Sequence, residues 1–245
     1  MSHQFTPSPT GSGGGADVAV PGVPIAQQTE NVRAAFMNRV YMTLLLGIAA
    51  FIGMQFALFT TGAAEAIAAL VVETNWLLIL GGFMVVSWLA TRLSSTATTA
   101  AKAWGGYLLL IGANALLFAT PLFIAATVPE LEGTISTAAW LSILAFAGLS
   151  AIAITTGKDF SFLRSILMWG GVLALVLIVG SVLFGAQLGT WFAVAMIGFA
   201  GAAILYDTQK VYRSFPPGTE VVAAMHLFSS LALLFWYVLQ LLMRR

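Results

Sequence analysis

Six stretches of this chain contain no Asp, Glu, Lys or Arg: 40–64, 74–91, 103–129, 133–157, 165–206 and 221–243. A helix needs about 20 apolar residues to cross the ~30 Å hydrocarbon core of a bilayer. Five of the stretches match one span each, and 165–206, with its 42 residues, holds two, divided where Gly185, Gln187 and Gly189 cluster. Spanning strands need only about 10 residues and alternate polar with apolar side chains, a pattern missing here. The sequence therefore predicts an all-α integral membrane protein of seven transmembrane helices. The stretch 74–91 is the shortest, so its helix is expected to begin near Asn75 or Trp76, after an interfacial segment carrying Glu65 and Glu73.

Composition agrees: 60% of the 245 residues are hydrophobic and 8% are charged, against about 25% charged in soluble domains. Seven spans use most of this length, leaving room for one membrane domain and short loops. Residues 1–30 hold the run 11–15 of Gly and Ser, four prolines (Pro7, Pro9, Pro21 and Pro24) and few bulky apolar side chains. They are expected to form a disordered N-terminal tail, with the transmembrane domain over 33–243. The tail lacks the basic start and short apolar core of a cleaved signal peptide. The absence of cysteine excludes disulfides, thiolate metal sites and thiol catalysis. No basic cluster suggests nucleic acid as a partner.

The basic residues alternate between loops. Arg33 and Arg39 precede the first span, Arg92 and Lys102 separate the second and third, Lys158 and Arg164 the fourth and fifth, and Lys210 and Arg213 the sixth and seventh. The intervening loops have none. The positive-inside rule then makes the N-terminus cytoplasmic, and seven crossings carry Arg244 and Arg245 to the opposite face. Either those two charges are tolerated there or the seventh helix does not fully cross.

Asp207, in Tyr206-Asp207-Thr208-Gln209-Lys210, is the acidic residue expected within a span, near the cytoplasmic end of the sixth. A carboxylate at the bilayer centre costs roughly 2.5–3.5 kcal/mol on insertion scales, and less towards the interface. Two readings remain open. Asp207 either sits at the interface and pairs with Lys210 three residues on, or faces the bundle interior, pairs with a basic group from another helix and switches that contact on protonation. Arg92, ending the second span, and His226, near the start of the seventh, lie at similar depth as interior partners, with Ser230 one turn beyond His226 and Ser229 beside it.

Other polar breaks have simpler explanations. Asn114 and Pro121 interrupt the third span and predict a kink. Gly198, Gly201 and Ala202 predict close helix packing in the sixth. An enzyme is not expected: His3 and His226 are the two histidines, no metal or phosphate-loop motif occurs, a Ser229/His226 pair on one helix is poor geometry for a dyad, and Asp207 has no second aspartate within a span.

Three motifs in this order, Phe36-Met37-Asn38-Arg39-Val40-Tyr41, Lys158-Asp159-Phe160-Ser161-Phe162-Leu163 and Tyr206-Asp207-Thr208-Gln209-Lys210, resemble the Bax inhibitor-1 family, in particular its bacterial members, over roughly residues 33–243. The resemblance implies six helices around a central seventh and a pH-sensitive calcium leak, in an inner membrane. It also implies a gate made of one aspartate in each of the last two helices and an arginine ending the second. Asp207 matches the first aspartate and Arg92 the arginine, whereas Ser230, or Ser229, stands at the second aspartate's place.

One carboxylate and a hydroxyl make a poor site for a hard cation, so Asp207 is a weak calcium ligand and any leak is expected to be weaker or differently pH-dependent than with two acids. Calcium is then a transported ion and no cofactor is expected. The alternative is a non-conducting regulator that binds other membrane proteins, such as proteases or translocation machinery, through its helices.

Overall fold

A computed structural model describes residues 19–244 apart from Pro21 and Gln187. Among them are eight α-helices and no strand. Seven are long and apolar enough to cross a membrane: α1 (Glu30–Thr60), α3 (Trp76–Ser95), α4 (Ala100–Thr127), α5 (Thr134–Thr155), α6 (Leu163–Phe184), α7 (Thr190–Ser214) and α8 (Glu220–Leu242). The eighth, α2 (Ala63–Glu73), is the short segment bearing Glu65 and Glu73. It leads into α3 at Trp76, where the Asn75 side chain accepts the Leu77 N–H at 2.9 Å and caps the helix.

Outward faces carry large apolar side chains, among them Phe56, Leu78, Trp88, Trp169, Leu183 and Trp191. A soluble monomer rarely exposes so much apolar surface, whereas lipid accepts it. Since lipid tails are as apolar as leucine, the bundle is held by close packing and internal polar contacts. Both α4 and α8 are the enclosed helices, with half or more of each span buried. Helix α8 packs against α1, α3, α4, α5 and α7, while α6 lies mainly against α7 and buries little of its length. Around α8 the core is aromatic: Phe118 stands edge-on to Phe51 and Trp236, and Tyr107 edge-on to Phe228.

Helices α3 and α4 come closest where Gly106 lies on α3, since a Cβ there would fall 2.6 Å from the Ala90 carbonyl. Gly201 similarly faces Leu149 of α5, whereas Gly198 meets nothing. Helix α4 runs on through Pro121 as one element, and Asn114 donates to the Leu110 carbonyl of its own turn at 2.9 Å.

Part of the segment expected to be a tail packs on the bundle. Residues Ile25–Gln27 form a 3-10 turn, Ile25 is fully buried, and its N–H donates to the Phe215 carbonyl at 2.9 Å. Residues 1–18 lie outside the described residues. So do Gln187, in the turn expected between the fifth and sixth spans, and Arg245. Helix α8 reaches the far end of the bundle, where Arg244 donates to the Leu188 carbonyl in the α6–α7 connection.

Candidate functional site

The sixth span is longer than the sequence suggested. Charges at Lys210 and Arg213 mark its expected end, yet α7 continues to Ser214, which sets Asp207 about two turns inside the helix terminus. There its carboxylate turns to α8 and accepts a hydrogen bond from Ser230 Oγ. Ser230 is also within 3.3 Å of the His226 carbonyl one turn earlier. A hydroxyl has one hydrogen, so these two oxygens compete for it.

The expected partners divide. Ser230, 4% exposed, meets Asp207 inside the bundle, where the interior reading expected a basic group. Arg92 does not. Its helix α3 packs chiefly on α4, and the guanidinium lies exposed over the Trp88 ring, 5.4 Å from the centroid. Among the described residues no basic group lies within ion-pair distance of Asp207. Lys210 is the cation whose field reaches Asp207, but its ammonium sits 6.0 Å from the Phe215 ring centroid. The other edge of this small cluster is His226, whose ring packs edge-on to Phe215 at 5.7 Å and has no hydrogen bond of its own among the described residues. Ser229 donates to the Met225 carbonyl at 2.9 Å and takes no part in the contact with Asp207. No group of three or more His, Asp or Glu side chains that would hold a metal ion occurs among the described residues. Asp207 and Ser230 by themselves do not supply the several oxygens calcium requires.

The residues beside Asp207 each reach a different element, a helical consequence of 100° steps around α7. Fully buried Thr208 exchanges a hydrogen bond with Ser150 of α5 at 3.2 Å. Gln209, 4% exposed, points at the α5–α6 connection: its Oε1 accepts the Phe160 N–H at 2.7 Å and its Nε2 donates to the Lys158 carbonyl. One turn on, Arg213 donates to the Gly157 and Lys158 carbonyls at 3.2 and 3.3 Å and pairs with Asp159 at 3.8 Å. Asp159 Oδ1 also accepts the Ser161 N–H at 3.0 Å. That N–H, then the Ser161 hydroxyl and the Arg213 charge, hold its carboxyl below the usual carboxylate range.

Two of the three motifs are thus one assembly, with Gln209 of 206–210 binding the backbone of 158–160. The model of the family described as inhibitor of apoptosis-promoting Bax1 matches residues 33–245. The chain belongs to the Bax inhibitor-1 family. A membrane protein of Vibrio cholerae serotype O1, described as uncharacterized, is 34% identical over 93 residues, which are 36% of this chain and 40% of that protein. The matched part is therefore less than half of that relative's length.

For this Bax inhibitor-1 family chain, sequence reasoning missed Gln209 as a structural clamp. The available signal was an amide between two charged positions near a helix end, facing a loop whose backbone groups need partners.

Proposed function

We propose that this chain is a pH-responsive cation leak of the Bax inhibitor-1 type, conducting calcium weakly, in which Asp207 sets the α7–α8 contact. The observation that carries this reading is the carboxylate of the sixth span turned into the bundle and hydrogen-bonded across to Ser230. Ionised, Asp207 is an acceptor only, so Ser230 must donate to it. Once protonated, Asp207 becomes a donor. The Ser230 hydrogen is then free to turn to the His226 carbonyl while its oxygen accepts from Asp207.

The contact persists in both states with its polarity reversed. Two facing acids behave differently, because their mutual repulsion makes one proton decide whether the helices attract. A serine partner thus supports a shallow response to acid and a small conductance. Arg92 has no part in the contact and enters this gate only through a rearrangement of α3. The basic residues gathered at the ends of α1, α3, α5 and α7 support a cytoplasmic N-terminus in a bacterial inner membrane.

Calcium entry into proteoliposomes tests the reading. Wild type is expected to leak above protein-free vesicles, with a modest change on acidification. Asp207→Asn is expected to remove that change, and Ser230→Asp to enlarge the flux and steepen its dependence on acid. Background flux in all three proteins would favour the non-conducting regulator instead.

A further inference from the structure

On the side of α8 away from α1, a groove of about 580 Å³ runs between α3 and α6. It exists because α3 and α6 touch only sparsely, so the floor formed by α4, α7 and α8 stays open between them. Along α8 its lining extends from Ser229 to Arg244, roughly 22 Å at 1.5 Å per residue. The walls are mainly apolar, and α6, which forms one lip, is the most exposed span.

Ser87, Thr91, Asn114, Ser181 and Ser229 line its interior, and the charge stands at the mouth. Trp76 and Trp236 stack there with centroids 6.1 Å apart, the amphipathic rings characteristic of the headgroup level. Beyond them stand Gln240 and Arg244. Arg244 is the described basic residue at this end of the bundle, since the other basic side chains lie in the 33–39, 92–102, 158–164 and 210–213 regions at the opposite end. Its bond to the Leu188 carbonyl fixes the guanidinium over the groove and uses one of five N–H donors.

We propose that this groove binds an anionic phospholipid, with one acyl chain laid between α3 and α6 and the phosphate on Arg244. The volume lies within the 300–1,000 Å³ of small-molecule sites. The length suits an extended acyl chain, and the planar guanidinium matches a phosphate oxygen pair. The site is independent of the gate, because Asp207 is not among its lining residues.

Native mass spectrometry of the full chain in mild detergent, with palmitoyl-oleoyl phosphatidylglycerol or the matching phosphatidylcholine, tests it. Wild type is expected to retain the anionic lipid about fivefold over the zwitterionic one, the ratio that one basic residue near a lipid surface supplies. Arg244→Gln should abolish the preference while still retaining lipid. Ser181→Trp, projecting into the groove from peripheral α6, should lose retention of both, with its fold verified by an unchanged helical spectrum. Equal retention of the two lipids by wild type, or undiminished retention by folded Ser181→Trp, overturns the proposal. Retention of palmitate at the same level, displaced by phosphatidylglycerol only in excess, would also overturn it by assigning the groove to a free fatty acid.

Discussion

The two sides of α8 are built differently. Towards α7 and α5, the successive side chains of 207–209 each engage another element, and the contacts run from Ser230 through Ser150 to the backbone at 158–160. Towards α3 and α6, the polar side chains Ser87, Thr91, Asn114 and Ser181 line a groove that no helix fills, and they contact mostly their own helices. In lipid, where burying an apolar side chain against another helix gains little, the polar contacts decide which interfaces are fixed. The α7 side is therefore the rigid half and the α3–α6 side the adaptable one.

The largest effect expected from breaking the rigid half is at Gln209. Gln209→Leu leaves the Phe160 N–H without its partner and the Lys158 carbonyl with Arg213 alone, and an unsatisfied buried group costs about 1–3 kcal/mol. Water reaches this connection, so a total near 2 kcal/mol is expected, read as a lower unfolding temperature in detergent and faster proteolysis within 157–162. An unchanged unfolding temperature would remove the clamp from the account. A smaller effect is expected at the Thr208–Ser150 pair. Thr208→Val and Ser150→Ala, combined in a double-mutant cycle, should show a coupling of about 0.6 kcal/mol, the average for such bonds between membrane helices. Zero coupling would make α5 and α7 a packing interface only.

This division explains how much could be read beforehand. The seven spans and the separate short helix before Trp76 follow from charge spacing, because a bilayer excludes charge from about 20 residues at a time. Asp207 stood out for the same reason, and its meeting with Ser230 is consistent with both lying on helices that are neighbours in sequence and in space. Arg92 does not meet Asp207, because azimuth around a helix is not visible in a sequence, and the guanidinium lies over Trp88. Gln209 was missed because its partners are backbone atoms: an amide between charged positions near a helix end marks a clamp without naming the loop it binds. Ile25 was hidden by the Gly- and Pro-rich composition around it, although a single apolar side chain suffices to anchor a turn on the bundle.

The smallest effect, and the sharpest test of whether the rigid half extends to the surface, concerns Asp159. Its carboxyl is held below the ordinary range by the Ser161 N–H and by Arg213, so the stabilisation it gives the docked 157–161 segment is present above the carboxyl's unfolded value and lost as pH falls through its folded one. Asp159 is exposed, and water and salt screen its pair with Arg213. Proteolysis of this segment in wild type should therefore quicken slightly as pH drops through the acidic range. In Asp159→Asn it should start slightly faster and stay flat. Gln209 should hold the segment in place throughout, so a large acid-induced release would mean that the exposed ion pair, and not the buried amide, does the anchoring.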